Sequence, residues 1–391
     1  MPPSNWTIVH VATLPRVLLQ FRLPILREQR RRFGRLIVYC PPFPEIRALE
    51  EEGFEVVPAP VTNRVGPWTP FEAGRLARFL RSVDAEIVVG HQPIGGLVAV
   101  GAGLLAGTPA RLYSTGGLKH QPDGTGLRNR LLRAGELALI RRSTAALLVN
   151  REDEEALGRI PGLEGKGLWV GPSGGCGLDT ARFNPTRRAL LRDAARSGLD
   201  IANSCLTIGF VGRLVLEKGF DQLFEAFRRL AGSSVLPPLR LVLFGDGPDE
   251  GRIREKAAAR GIADRTLFAG YRSPVEEAYA ALDLFVLPSR REGLPIALLQ
   301  AMAMGIPSVA SRIRGNRELI VDGENGRLAE VGSSDSLFEA IRELASNPEV
   351  AARLGETAAR SVRERYSEAA LLPRTLALIE EVAAAALDRA P

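Results

Sequence analysis

Two cations, Arg213 and Lys218, flank a strand-to-helix turn in the run Phe210-Val211-Gly212-Arg213-Leu214-Val215-Leu216-Glu217-Lys218-Gly219. Turn amides and the positive end of the following helix favour an anion. A guanidinium grips such an anion with paired hydrogen bonds, and an ammonium adds a point charge. A diphosphate suits this set. The competing reading is a surface turn whose cations meet nearby carboxylates. A Walker-type phosphate loop is excluded, since Gly165-Lys166 is followed by Gly167 and lacks the hydroxyl residue.

Two further runs carry chemistry. Gly245-Asp246-Gly247-Pro248-Asp249-Glu250-Gly251 follows an apolar strand but holds one residue too many before its third glycine for a dinucleotide fingerprint. A tight turn with Pro248 at a helix start accounts for it better than a cofactor signal does. In Pro288-Ser289-Arg290-Arg291-Glu292-Gly293-Leu294-Pro295-Ile296-Ala297, Pro295 suits the first position of a helix. That leaves the amides of Ile296 and Ala297 free for a phosphate oxygen or sugar hydroxyl. Glu292, on the loop before, can accept hydrogen bonds from paired sugar hydroxyls or serve as a dipole partner of the helix. Gln300, leaning toward the helix start, can bond a ribose.

These turns need strands and helices to hold them. Strands are expected near Thr7 to Ala12, Leu36 to Cys40, Glu55 to Pro58, Glu86 to Gly90, Arg111 to Thr115, Ala146 to Asn150 and Leu168 to Val170. A second series is expected near Leu206 to Val211, Leu239 to Phe244, Thr266 to Ala269, Leu284 to Pro288, Ser308 to Ala310 and Gly326 to Leu328. Helical runs alternate with them, which predicts an α/β protein of two doubly wound, mostly parallel sheets with ligands at the carboxyl ends of the strands. A capping box, Thr69-Pro70-Phe71-Glu72, is expected to open one helix, and Asn150 to cap another from Arg151 to about Gly158. The Gly- and Pro-containing loop from Gly171 to Gly177 marks the hinge region. The organisation expected is residues 1–185, residues 186–366, and a final Ala- and Leu-rich helix within residues 367–391.

Composition excludes several classes. The chain of 391 residues is 45% hydrophobic and 25% charged, the make-up of a globular enzyme. No stretch reaches the length of uncharged apolar residues that a membrane span requires, and the start MPPSNWTIVHVATLPR lacks a signal-peptide pattern. Cytoplasmic location is expected. Cys40, Cys176 and Cys205 are scattered, suggesting neither disulfides nor zinc. The net charge of +6 is concentrated before Cys40, where seven arginines from Arg16 to Arg35 face one acid, Glu28. Such a patch suits anionic lipid as well as a solvated helix face; no nucleic-acid reader motif accompanies it.

The motifs in series resemble the retaining glycosyltransferases of family 4. They run from Gly212-Arg213 with Glu217-Lys218-Gly219, through Gly245-Asp246-Gly247-Pro248, Glu292-Gly293-Leu294-Pro295 and Met302-Ala303-Met304-Gly305-Ile306-Pro307, to Arg314-Gly315-Asn316 and Asp322-Gly323-Glu324-Asn325-Gly326. In the first half, Gly90-His91-Gln92-Pro93, Tyr113-Ser114-Thr115-Gly116-Gly117-Leu118 and Gly177-Leu178-Asp179 are similar to the branch that builds bacterial capsular and other surface polysaccharides. The resemblance implies the GT-B architecture, two Rossmann-like domains facing across a cleft, with the last helix crossing back to the first.

It also implies roles. Arg213 and Lys218 match cations on the donor diphosphate, and Glu292 matches the first acid of the Glu-x7-Glu element that contacts the donor sugar. Gln300 stands at the second acid's position, a departure that lowers acceptor capacity toward ribose. Gly116 stands where many members place a histidine, which leaves His91, at a strand end, and His120 as substitutes beside Gly116 and Gly117. Gly212, Gly245, Gly247, Gly293, Leu294 and Ile296 complete the donor side, with Tyr271 and Arg272 as base contacts.

The implied reaction is retaining transfer of a hexosyl or N-acetylhexosaminyl group from a nucleoside-diphosphate sugar, uridine by resemblance, to a hydroxyl. No cofactor is implied beyond the donor, and the sequence holds no Asp-x-Asp pair for a metal-held diphosphate. A polyprenyl-diphosphate-linked sugar is the expected acceptor. The basic segments Leu18 to Arg35 and Gly126 to Arg142 would then rest the first domain on the inner face of the cell membrane, or are ordinary amphipathic surface helices. Two other functions keep the fold: a non-catalytic sugar-nucleotide-binding subunit, and a nucleotide-sugar epimerase.

Overall fold

The computed structural model describes residues 5–120, 126–234 and 236–389. It divides into two compact units, one formed by the chain to Gly177 together with the segment from Glu368 onward, the other by Leu178–Ser367. In the first, strands β1 (Thr7–Val11), β2 (Arg35–Cys40), β3 (Glu55–Pro58), β4 (Ile87–His91), β5 (Ala110–Ser114), β6 (Ala145–Leu148) and β7 (Gly167–Trp169) pair in parallel in the order β3-β2-β1-β4-β5-β6-β7. In the second, β8 (Leu206–Val211), β9 (Leu239–Phe244), β10 (Thr266–Gly270), β11 (Leu284–Leu287), β12 (Ser308–Ser311) and β13 (Arg327–Ala329) pair in parallel in the order β10-β9-β8-β11-β12-β13. Every expected strand is present, shifted at most by a few terminal residues.

Parallel strands are covered on both faces, which is why β1, β2 and β8 are buried along nearly their whole length and read as mostly apolar rather than alternating. Each sheet reverses its strand order once, between β1 and β4 and between β8 and β11. Crevices at such reversals, beyond the carboxyl ends of the strands, are where open α/β sheets take ligands.

The boundary between units falls earlier than Pro185. The Leu178 N–H donates to the Tyr366 carbonyl at 2.8 Å, Arg182 pairs with Glu276, and Phe183 lies edge-on to Tyr279, so residues 178–185 belong to the second unit. The last helix, Glu368–Leu387, completes the first: Leu376, Ile379 and Ala383 are buried with Ile8, Val89, Leu112 and Leu147.

Helix starts are partly as expected. The Asn150 side chain accepts the Asp153 N–H at 2.8 Å and opens the helix Arg151–Gly158. The capping box at Thr69 does not form. Trp68 is the N-cap residue; Thr69 Oγ1 accepts from the Gly66 N–H and Glu72 Oε1 from the Thr62 N–H, both at 3.0 Å. These side chains tie down the preceding loop instead of the helix end.

The basic amino-terminal segment is mostly neutralised. Leu18, Ile25, Leu26 and Phe33 are buried, while Arg27 pairs with Glu52, Arg31 with Glu28, Arg32 with Glu380 and Arg35 with Glu55, at 2.7, 2.8, 3.2 and 2.6 Å. Arg30 donates to the carbonyls of Glu52 and Gly53. The helix Leu127–Arg142 behaves differently. Leu127, Leu131 and Leu132 are 73%, 64% and 41% exposed, and Arg128, Arg130 and Arg133 form no ion pair among the described residues.

Candidate functional site

Three turns of the second unit are laced together at the carboxyl ends of their strands. The Gly212 N–H donates to the Phe244 carbonyl, Gly245 to Gly270, and Leu214 to Asp246, at 3.0, 2.8 and 2.7 Å, and Asp249 Oδ2 accepts the Leu216 N–H at 3.0 Å. The backbones come too close for side chains. A Cβ on Gly245, whose φ is +126°, would lie 2.0 Å from the Gly212 carbonyl oxygen. Gly212, Gly245 and Gly247 therefore serve the packing of the phosphate turn against its neighbour. A Cβ on Gly247 would likewise lie 2.2 Å from the Leu214 carbonyl oxygen.

Gly219 joins this turn to the segment after β11. Its φ is +76°, and a Cβ there would stand 2.0 Å from the Pro288 carbonyl oxygen. Beside it the Arg290 N–H donates to the Glu217 carbonyl at 3.0 Å. This approach lets Lys218 Nζ reach Glu292 Oε1 at 2.7 Å, with the two side chains only 17% and 15% exposed. Sequence reasoning named both residues but not their pairing, which depends on that backbone contact. Arg213 is exposed and forms no ion pair or side-chain hydrogen bond among the described residues.

The helix Ile296–Ala303 begins one residue later than expected. Pro295 is extended, at φ −79° and ψ 104°, and takes the N-cap position with no side chain closing the helix start. The amides of Ile296 and Ala297 lie in the first turn, where a helix supplies them no acceptor. Gly293 and Leu294 form the approach to it.

Gln300 departs from expectation more sharply: its Oε1 accepts the hydroxyl of Tyr279 at 2.8 Å. Tyr279 is fully buried and requires such a partner. With the amide oxygen engaged, what Gln300 chiefly retains for a ligand is its NH2 group. Tyr271 and Arg272 are exposed on the loop after β10.

In the first unit, the pairing of β1 with β4 brings His10 Nδ1 within 2.9 Å of His91 Nε2, with the rings stacked 5.2 Å apart. Both are buried. Burial, with the Arg22 charge nearby, lowers the His10 pKa to about 3, although Gln29 favours its protonated form. His91 is held well below the ordinary imidazole value by burial first, then by His10 and Arg22. The structure thus corrects the picture of His91 as an open group at a strand end. Arg22, also buried, reaches toward Ser114 Oγ at 3.4 Å.

His120 is likewise buried, its Nδ1 2.9 Å from Glu136 Oε2, and Glu136 also accepts the Lys119 N–H. Residues 121–125 beside it lie outside the described residues. Gly116 is exposed with φ +67°, and a Cβ there would meet nothing within 4 Å. The Gly117 N–H donates to Thr115 Oγ1 at 3.1 Å.

The sequence profile of the glycosyl transferases group 1 matches residues 192–361, and that of the glycosyl transferase 4-like domain matches residues 21–166. EpsD of Bacillus subtilis (strain 168), named as a glycosyltransferase, is 31% identical over 332 residues, covering 82% of this chain and 83% of EpsD. The chain is a family 4 glycosyltransferase. The transferase is also 25% identical over 267 residues, 68% of each chain, to the UDP-Gal:alpha-D-GlcNAc-diphosphoundecaprenol alpha-1,3-galactosyltransferase of Escherichia coli. Its fold is that of Anabaena HepE in complex with UDP and glucose, at a TM-score of 0.78 and 19% identity over 96% of this chain and 100% of that one. A glycosyltransferase from Rickettsia africae ESF-5 superposes at 0.77, with 16% identity over 97% of this chain and 98% of its own. Both sheets of the transferase are accordingly those of a GT-B protein.

Three predictions arise from this geometry. Gly219→Ala drives a methyl into the Pro288 carbonyl, so sugar transfer should fall at least tenfold in an activity assay. Gly116→Ala meets only backbone strain of roughly 1 kcal/mol, and its activity should remain within about threefold of the parent. The buried imidazoles are neutral when folded and protonate near pH 6.5 once exposed, so their contribution is present above that value and lost as pH falls toward 3. Urea unfolding should show stability dropping as pH falls through 6.5, with the slope approaching about 1.4 kcal/mol per pH unit per histidine about one unit lower, and His10→Gln should flatten the slope. A level profile in the parent would mean an imidazole is charged in the fold.

Proposed function

We propose that the transferase moves a hexosyl or N-acetylhexosaminyl group from a UDP-sugar to a hydroxyl of a lipid-linked glycan, with retention at the anomeric carbon and without a metal. The observation that carries this reading is the half-buried Lys218–Glu292 pair at 2.7 Å, with Lys218 on the same turn as Arg213, which has no ion-pair partner among the described residues. The ammonium keeps further N–H donors for the diphosphate, and Glu292 keeps Oε2 for sugar hydroxyls. One ion pair thereby orients the phosphate grip and the sugar grip together.

The bond from the anomeric carbon to the phosphate oxygen breaks as the bond to the acceptor oxygen forms on the same face. The acceptor proton passes to the departing phosphate. Negative charge gathers on that diphosphate, where Arg213, Lys218 and the amides of Ile296 and Ala297 stabilise it. These fixed charges do the work a metal would do. His91, neutral and packed on His10, holds the end of β4 rather than the sugar. Tyr271 and Arg272 are assigned to the base, and the amide NH2 of Gln300 to the ribose.

The UDP bound by HepE supports the uridine donor, and the acceptor in the name of the E. coli galactosyltransferase supports a diphosphate-linked lipid. Such an acceptor requires a membrane-facing surface. Exposed leucines, and arginines that form no ion pair among the described residues, with no acid between Gly126 and Gly135, support the start of the helix Leu127–Arg142 in that role, at the cytoplasmic face of the membrane.

Arg213→Ala should lower transfer by roughly 10² to 10³ with the donor that turns over best in a UDP-sugar panel, and an unchanged rate would remove the diphosphate assignment. Replacing Arg128, Arg130 and Arg133 by serine should abolish salt-sensitive binding to vesicles containing phosphatidylglycerol. Neutralising Arg30, Arg31 and Arg32 should leave that binding intact; the reverse outcome would return the membrane face to the amino-terminal helices.

A further inference from the structure

The carboxyl end of the helix Leu127–Arg142 borders a cavity of about 570 Å3 whose charged lining consists of Arg111, Arg141, Arg142, Lys166 and Arg389 against a single acid, Glu164. Arg111 lies at the start of β5 and Lys166 just before β7. The cavity is therefore at the amino ends of the strands, the opposite edge of the sheet from His91, Ser114 and Gly116.

These cations donate to backbone carbonyl oxygens. Arg111 Nη1 donates to Thr108 and Pro109 at 2.6 and 3.2 Å, Lys166 Nζ to Arg141 and Ser143 at 3.0 and 2.6 Å, and Arg142 Nη1 to Ala138 at 3.3 Å. Among the described residues none of the five forms an ion pair, and Glu164 accepts the Gly162 N–H instead. On the same unit, Arg27, Arg31, Arg32 and Arg35 all meet acids.

Cations are drawn to the end of a helix, but its partial charge is about half an electron and one or two side chains satisfy it. Five exceed that need. Burial and the Arg111 charge both act to discharge Lys166, a crowding of like charges that no ion pair among the described residues relieves. The arginines bring forked donors matched to phosphate oxygens, and the volume lies within the range of small-molecule sites.

We propose that this cavity binds a phosphate-bearing anion of two or more negative charges, at a place separate from the sugar-nucleotide site. The anion is either a soluble polyphosphate or the headgroup of an anionic phospholipid. Calorimetric titration of the full chain with inorganic tripolyphosphate should reveal a saturable site that survives Arg213→Ala. Arg142→Ser combined with Arg389→Ser, both exposed positions, should weaken it at least tenfold. Displacement of tripolyphosphate by cardiolipin-containing vesicles, lost in the double variant, would identify the headgroup; tripolyphosphate binding that such vesicles leave unchanged would identify the soluble anion. A titration with no saturable site, or one abolished by Arg213→Ala and indifferent to the double variant, would overturn the proposal.

Discussion

The bare Cα of Gly219 lying on the Pro288 carbonyl is the constraint from which the second unit's site follows. It sets the turn after β8 against the segment after β11, across the point where strand order reverses. Lys218 and Glu292 meet because of it. Charges this far from water cost free energy to bury, and each is tolerated because the other is present; removing either partner leaves the remaining charge uncompensated. The residues that hold the pair in place are thus as consequential as the pair itself. Gly245 against Gly212 supports the turn from its other side.

Much of the fold is legible in the sequence because parallel strands buried on both faces leave short, mostly apolar runs that alternate with helical ones, and the strands were foreseeable on that basis. Arg213, Lys218 and Glu292 were legible because phosphate and sugar recognition demand those side chains on turns after strands. What was hidden depends on contacts distant in sequence. Nothing local tells that Tyr279 claims the oxygen of Gln300, that His10 covers His91, or that acids from elsewhere in the chain neutralise the amino-terminal arginines. The pattern Thr69-x-x-Glu72 also misleads locally, since a competing loop offers its side chains better-placed donors.

The first unit distributes polarity in two ways. Near the carboxyl ends of its strands it buries His10, His91 and Arg22 in a compact group that remains largely uncharged except for the guanidinium. At its surface it separates a paired basic segment from the helix Leu127–Arg142, where leucines and arginines stand together in solvent. Basic composition alone did not distinguish these surfaces; the pairing of each cation did.

The chain enters the second unit at Leu178 and leaves it at Ser367, so that unit is one uninterrupted stretch, whereas the first sheet receives Leu376, Ile379 and Ala383 only from the segment that follows the second unit. Emergence from the ribosome therefore runs against the usual sequence in which amino-terminal domains mature first. The seven strands of the first unit are made early yet keep part of an apolar face uncovered until the whole second unit has been synthesised, and the later-made unit is the first able to close its core.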